Sequence, residues 1–308
     1  MKQFFKRFLK KNKWGIFFFS FWRLISFAQD LVWPYAFSKI VNIMSEMPQQ
    51  WRQAIFWTVL ITINAATSDF IRLHSKLGLE KIASKLKINL ATFFCENTKI
   101  KRNKKTGEAV QAIKNASEEI QNLVLYYKEN ILQLPICFVI IPLILFKANL
   151  DYLSLLIIYI IIYLAIDIIC TKIYNRKMKK YYETSEIFWG TTYRKTPDVW
   201  REREDGDTFV QKIEKQGDGH YQADSLAMQV NTRRWTLLQV LSSITIGAVI
   251  FFVLHRIIYQ GTHVGDLILV TGYFQKTQET LNIITSSLTQ IVQTRLSLIQ
   301  LNKAVKIK

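Results

Sequence analysis

The hydrophobic positions of this chain fall into six long apolar stretches that are separated by loops of very unequal length. A hydrocarbon core of about 30 Å requires about 20 apolar residues in a helix, and the stretches approach that length. They cover residues 14–38, 53–71, 131–146, 152–170, 236–254 and 264–288. The pattern therefore predicts an all-α membrane protein with six transmembrane helices.

The two long polar segments, 72–130 and 171–235, also carry apolar residues at helical spacing. At 1.5 Å per residue, about 25 helical residues on each side of a turn reach about 40 Å away from the membrane. We therefore expect two pairs of long helical extensions, each pair joined by a turn at its tip. The first turn is predicted near 99–107, and the second near 189–197, where Pro197 ends the helix. Further interruptions are expected at Gly206, Gly217 and Gly219.

Charge gives the orientation. The net charge is +18, and the basic clusters lie in residues 2–13, 72–105 and 172–180, whereas the other loops are nearly uncharged. By the positive-inside rule, both termini and both long loops are cytoplasmic, in a plasma (inner) membrane. Residues 1–13 are predicted to form a cytoplasmic elbow helix before an uncleaved first span, since no small-residue cleavage site follows the apolar run.

The sequence predicts no catalytic residue and no metal site. It has no Gly-x-x-x-x-Gly-Lys-[Ser/Thr] loop, no His-Glu-x-x-His pattern, and three isolated cysteines. We therefore expect no cofactor bound by this chain and no ATP hydrolysis by it alone. The basic excess is explained by orientation and by anionic lipid headgroups, so the bilayer rather than nucleic acid is the expected partner.

The layout of six spans with two long cytoplasmic extensions resembles the transmembrane domain of an ABC exporter. Two local segments carry the resemblance further. Thr106-Gly107-Glu108 is similar to the family's Thr-Gly-Glu segment after the first coupling helix, and Gly265-Asp266-Leu267 is similar to its start of the sixth helix. The chain departs from the family at Ala112 and Ala116, where Arg and Asp often stand.

The resemblance implies a domain organisation and partners. Residues 14–305 would form the six-helix transmembrane domain, and 306–308 mark the end where a nucleotide-binding domain is expected to follow. The implied partners are an ABC nucleotide-binding domain or subunit, which brings ATP and Mg, and a second transmembrane domain in a homodimer or heterodimer. A truncated gene, a fragment and a separate membrane subunit all fit the chain's end.

The resemblance also implies two coupling helices, at about 97–104 and 185–192, that dock on the ATPase domains. The alternative is a pair of solvated turns. The candidate coupling residues are Asn97, Thr98, Lys99, Ile100, Lys101, Arg102, Asn103, Lys104, Gly107, Glu186, Phe188 and Trp189.

Six charged residues lie within or near the spans: Arg23, Asp30, Asp69, Asp167, Lys276 and Glu279. Four of these, namely Arg23, Asp30, Lys276 and Glu279, are candidates for a substrate path. Intramembrane charges are costly and tend to face a cavity or a partner. The alternative is internal pairing or snorkelling, since Lys276 and Glu279 are three residues apart on one helix.

These observations favour the permease part of an ATP-driven exporter. Two other functions remain open. A channel or secondary carrier would show short cytoplasmic loops or broken helices, and an inactive truncated membrane scaffold would lack the ATPase. The substrate does not follow from the sequence.

Overall fold

The computed structural model describes residues 2–100, 106–129, 134–201 and 206–307. Within these ranges the chain forms α-helices, one short 3-10 helix at Pro48–Gln50 and two short strands. The helices are α1 (Lys2–Asp30), α2 (Val32–Glu46), α3 (Trp51–Asn97), α4 (Thr106–Glu129), α5 (Leu134–Ala148), α6 (Leu150–Arg201), α7 (Gly206–Gln260) and α8 (Gly265–Ala304). The strands are β1 (Thr98–Ile100) and β2 (Val305–Ile307).

Four helical segments are long and apolar enough to cross a membrane, judged by length and composition among the described residues. They are Gln3–Glu46, Pro48–Asn97, Leu150–Ser185 and Val210–Gln260. Helix α5 is apolar, but its 15 residues span only about 22 Å. Helix α8 has 40 residues and a more polar composition. The first part of the predicted third span, 131–133, lies outside the described residues.

The first predicted span is bent. Helix α1 runs without a break through residues 13 and 14 to Asp30, and α2 starts again at Val32. Pro34 lies in the first turn of α2, where its missing N–H removes no helical hydrogen bond. The Tyr273 hydroxyl donates to the Leu31 carbonyl at 3.0 Å. This bond ties α8 to the junction between α1 and α2.

The predicted break at 189–197 is wrong. Helix α6 continues through Pro197 to Arg201, and α7 begins at Gly206. A proline removes one helical hydrogen bond, but adding residues to an existing helix is easier than starting a new one. Gly217 and Gly219 also lie inside α7. A Cβ on Gly217 would lie 3.3 Å from Cε2 of Phe188, so this glycine lets an aromatic ring approach the helix.

The segment after α3 is also not as predicted. A short helix was expected over 97–104, but Thr98–Ile100 form β1 and pair antiparallel with β2. Thr98 is opposite Ile307, and Ile100 is opposite Val305. Three of these four residues are β-branched aliphatics and the fourth is threonine, which all favour extended backbone. We refer to the pair as the β1–β2 ribbon.

The chain divides into two compact units. Unit 1 comprises Met1–Ile82, Tyr126–Ile166 and Leu237–Ser286. Its core is an apolar cluster that includes Leu145, Leu156, Tyr163, Val253 and Phe274. Unit 2 comprises Ala83–Leu125, Asp167–Thr236 and Ser287–Lys308. It contains a smaller cluster of Tyr174, Met178, Tyr182 and Ala227, against which Leu296 packs.

Candidate functional site

A polar cavity of about 320 Å³ lies in unit 1. It is lined by residues at the end of α1 and the start of α2, by one face of α3, and by one face of α8. Three of the four predicted path residues, Asp30, Lys276 and Glu279, line it together. They are far apart in sequence, and the packing of α8 beside α1 and α3 brings them together. We refer to this space as the polar cavity.

The charged side chains of the polar cavity are partly paired. Lys276 Nζ donates to Glu279 Oε2 at 2.8 Å, so the internal pair expected from their spacing forms. Ser68 Oγ donates to Asp30 Oδ1 at 2.9 Å. Asp69 also lines the cavity and pairs with Arg72. The carboxylates of the lining outnumber its one lysine, and the Glu279 side chain is 61% exposed.

Close helix packing borders the polar cavity. Gly272 lines it, and a Cβ at this position would lie 2.7 Å from the Pro34 Cβ. Ser26 and Ser68 hydroxyls lie 3.1 Å apart and hold α1 to α3. Small residues allow such close approach between helices in a membrane. Small side chains at these contacts therefore bring the helices around the cavity close together.

Arg23 does not line the polar cavity. Its side chain is buried, and its guanidinium carbon lies 4.6 Å from the centroid of the Phe27 ring on the next turn of α1. A cation placed over an aromatic face gains electrostatic stabilisation when it is shielded from water. The structure thus separates Arg23 from the other three predicted path residues.

The first predicted coupling region lies in unit 2 and is described only in part. Asn97 ends α3, where its side-chain amide donates to the Phe93 carbonyl at 3.0 Å. Thr98, Lys99 and Ile100 form β1, while Lys101, Arg102, Asn103 and Lys104 lie outside the described residues. Gly107 falls in the first turn of α4. The β1–β2 ribbon therefore holds residues 305–307 beside this region.

The second predicted coupling region is not a separate helix. Glu186, Phe188 and Trp189 lie within α6. The Phe188 ring stacks on the His220 imidazole of α7, with centroids 5.6 Å apart and planes at 18°. The Tyr181 ring also packs against the His220 imidazole, with centroids 5.0 Å apart. Phe188 is thus a packing residue between α6 and α7.

Unit 2 contains a buried ion pair, of which sequence reasoning identified Asp167 as a charge in need of a partner but missed Arg234. Arg234 Nε donates to Asp167 Oδ1 at 2.7 Å, and both side chains are 0% exposed. Arg234 Nη1 donates to Thr289 Oγ1 at 2.8 Å. The pair joins α6, α7 and α8. Asp167 follows the apolar run 155–166, and Arg234 precedes the uncharged span 236–254. These two positions were the signal available in the sequence.

A second polar contact in unit 2 involves Glu119 of α4. Gln290 Nε2 donates to Glu119 Oε2 at 2.6 Å, and Thr294 Oγ1 donates to the Glu119 carbonyl at 3.1 Å. Burial raises the pKa of the Glu119 carboxyl above its ordinary value; the Gln290 hydrogen bond opposes this, and the Glu118 charge adds to it. Helix α8 is thus bound to α4 by polar groups.

Comparisons with known proteins identify the fold. No protein-family model matches the chain, and no curated protein matches its sequence. Among the solved structures that match is one described as a bacterial Atm1-family ABC exporter with ATP bound. The TM-score is 0.79, the identity is 14%, and the match covers 96% of this chain.

The match covers 52% of the exporter chain, so this chain spans about half the length of the structure it resembles. At this identity the comparison concerns the fold. The chain has the fold of the transmembrane part of an ABC exporter, as the layout of its apolar stretches predicted. This fold and the four long apolar helices indicate a membrane protein.

Proposed function

We propose that this chain is the permease part of an ATP-driven ABC exporter, assembled as a dimer with a second transmembrane part. The observation that carries the proposal is the match to the transmembrane half of an exporter over 96% of this chain. The sequence contains no phosphate-binding Gly-Lys loop. ATP and Mg would therefore bind to an ABC nucleotide-binding domain or subunit, with which this chain forms its working assembly.

The proposal includes six spans rather than four. Helices α5 and α8 would be the third and sixth. Helix α5 is apolar apart from Lys147 near its end, and about one and a half further turns before it would complete a span of about 20 residues. Helix α8 is more polar because one of its faces lines the polar cavity, which exempts that face from contact with lipid. Both termini would be cytoplasmic, in agreement with the positive-inside rule.

The polar cavity supports the substrate path. Asp30, Lys276 and Glu279 would lie at membrane depth, where a charge facing lipid is expensive and a charge facing an aqueous cavity is tolerated. Arg23 is removed from this proposal because its guanidinium packs on Phe27 and does not line the cavity. Lys276 would hold Glu279 until a substrate competes for one of the two groups.

Coupling to the ATPase is proposed at the first tip. The segment from Asn97 to Gly107 would dock on the ATPase domain, and the β1–β2 ribbon would hold it next to the end of α8. A movement of the ATPase at this segment would then reach α8 through the backbone hydrogen bonds of the ribbon. The region around Phe188 would form the second docking surface.

An ATPase assay in proteoliposomes tests the function. The purified chain alone is expected to show no ATP turnover. ATP hydrolysis is expected when the chain is combined with its ABC ATPase subunit, or when it is part of a longer chain that contains the ATPase domain. Gly107→Val, and Ile100→Asp with Lys101→Asp, should lower substrate-stimulated turnover without lowering membrane insertion. Lys114→Asp reverses a charge on the exposed surface of α4 and is the control. ATP turnover by the isolated chain, or unchanged transport in both tip variants, would contradict the proposal.

Cysteine labelling tests the six-span orientation separately. In a background without Cys95, Cys137 and Cys170, single cysteines are placed at Gln49, Asn149 and Thr262, and one at Asn103. An impermeant thiol reagent added to intact cells should label the first three and leave the fourth unlabelled. Labelling at Asn103 from outside would overturn the orientation.

A further inference from the structure

Unit 1 contains a second cavity, of about 580 Å³, that has no part in the proposed transport path. It lies between α2, α5 and α8 at the end of unit 1 that carries the short loops. Two contacts hold these loops together: His263 Nδ1 lies 2.7 Å from Glu46 Oε1, and the Gly265 N–H donates to Asn42 Oδ1 at 2.6 Å. We refer to this space as the short-loop cavity. Ligand pockets commonly have volumes of about 300–1,000 Å³.

The inner walls of the short-loop cavity are aliphatic. They are formed by Leu31, Val32, Ile140, Ile144 and Leu269. The Tyr273 hydroxyl, which also lies at this wall, already donates to the Leu31 carbonyl. These walls therefore favour a hydrocarbon chain.

The rim of the short-loop cavity carries both signs of charge. Lys39 and Lys147 line it from α2 and α5, and neither forms an ion pair with a carboxylate in the part of the chain that the structure describes. Asp266 lines it from the first turn of α8, where it also complements the helix dipole. The His263 imidazole is in contact with the Glu46 carboxylate. The rim thus offers two ammonium groups and one carboxylate above an aliphatic interior.

We propose that the short-loop cavity binds a zwitterionic aminophospholipid. Its phosphate would contact Lys39 and Lys147, its ammonium group would contact Asp266, and an acyl chain would lie along Ile140, Ile144 and Leu269. Lysine binds phosphate as a point charge, and the carboxylate adds a preference for a headgroup that carries an amine. This site requires that unit 1 is embedded in a bilayer, but it does not depend on ATP-driven transport.

Lipid binding by the purified full chain tests the proposal. Dissociation constants are measured by native mass spectrometry for dioleoyl phosphatidylethanolamine and dioleoyl phosphatidylglycerol, with soluble glycerophosphoethanolamine as a probe without acyl chains. We expect the ethanolamine lipid to bind more tightly than both. Lys39→Gln with Lys147→Gln should weaken it about thirtyfold, since each basic residue near a lipid phosphate contributes about 1 kcal/mol. Asp266→Asn should abolish the preference over phosphatidylglycerol.

Matched variants separate this site from general attraction to lipid. Lys172→Gln with Lys177→Gln removes the same charge from exposed positions of α6 that do not line the cavity, and it should leave binding unchanged. Lys39→Arg with Lys147→Arg should retain binding and shows that the rim tolerates substitution. Equal losses in the two glutamine pairs, equal binding of the two lipids by the native chain, or equally tight binding of the probe without acyl chains would each overturn the proposal.

Discussion

The two units bury different chemistry. The core of unit 1 is composed of aliphatic and aromatic side chains, and its buried tyrosines bond to single polar groups, as Tyr159 does to Ser242 at 2.8 Å. Unit 2 has a smaller apolar cluster and buries an ion pair between Asp167 and Arg234 at 0% exposure. Its helix α8 is bound to α4 through the amide of Gln290 and the carboxylate of Glu119.

This difference matches the environments that the predicted spans imply. Unit 1 holds most of each span, whereas unit 2 holds most of the two long polar segments, with Asp167 near the end of the predicted span 152–170. Helices in lipid gain little from burying apolar surface, so they depend on close packing and on small residues at the contacts. Helices in water gain from apolar burial but carry many polar groups, and each buried polar group needs a partner. We therefore expect unit 2 to be sensitive to the loss of a charge partner and unit 1 to be sensitive to added volume.

The largest expected effect is the loss of the Arg234 charge. Arg234→Ala leaves the Asp167 carboxylate buried without its cation, and breaking a pair of this kind costs about 3–5 kcal/mol of unfolding free energy. Thermal unfolding of the purified chain should show a clear fall in Tm. Arg233→Ala removes an exposed arginine one position earlier and is the control. An apolar double replacement, Arg234→Met with Asp167→Leu, should restore much of the stability; equal Tm values for all variants would contradict the contrast between the units.

Added volume in unit 1 is expected to have the next largest effect. Gly272→Ala places a methyl group against Pro34 and should cost about 1–3 kcal/mol through overpacking. Gly247→Ala is the matched control, because no atom of a neighbouring helix lies within 4 Å of its added Cβ. That substitution should be neutral or stabilising by about 0.4–1 kcal/mol, as alanine reduces the freedom of the unfolded chain. Denaturant unfolding of both variants measures the difference, and equal stabilities would remove close packing as the organising feature of unit 1.

A smaller, pH-dependent effect is expected at Glu119. Burial raises the pKa of this carboxyl above its unfolded value, so its contribution to stability is present below the unfolded pKa and is lost as the pH rises through the folded pKa. Glu119→Gln keeps an acceptor for Gln290 and removes the titration. The variant should therefore gain stability relative to the native chain between acidic and neutral pH. Tm measured across this range checks the sign, with Glu118→Gln, which loses its pair with Lys87, as the comparison.

The smallest effect on stability is expected at the β1–β2 ribbon. Isolated two-stranded ribbons are marginally stable, so breaking this one should change Tm little. Successive N–H groups point to opposite sides of a strand, so only one of Lys306→Pro and Ile307→Pro removes a ladder hydrogen bond. The proline variant that breaks a ladder hydrogen bond should lower substrate-stimulated ATP turnover with the partner ATPase. The proline variant that leaves the ladder intact should keep the native rate of turnover. Equal turnover in both would show that the ribbon does not transmit motion.

The sequence was informative about the polar cavity but incomplete. The rule that intramembrane charges face a cavity or a partner selected Asp30, Lys276 and Glu279, and these three residues line the polar cavity. Their role in a substrate path stays a prediction. The same rule gave Arg23, which instead packs on the Phe27 ring four residues later. The sequence pattern indicates that a charge lies in an apolar stretch. It does not indicate whether the charge is stabilised by a cavity or by an aromatic ring.

The turns between the long helices were predicted less well. Pro197, Gly217 and Gly219 each predict a helix break from local sequence alone. Helix α6 nevertheless continues through Pro197, and Gly217 lies inside α7, where it makes room for the Phe188 ring. Thr98–Ile100 carry β-branched residues but follow a helical pattern, and their partner strand lies more than 200 positions later. No local rule identifies a partner at that separation.

The sequence by itself determined the mainly helical membrane class, the long helices and the exporter-like layout. These properties follow from the period and length of apolar stretches, which act along the chain. The tertiary structure decided which charges share the polar cavity, the pairing of Arg234 with Asp167, the strand at 98–100 and the composition of the short-loop cavity. Each of these depends on which helix faces lie against one another. That choice is made by the packing of segments distant in sequence, whereas periodicity only shows which face of one helix is apolar.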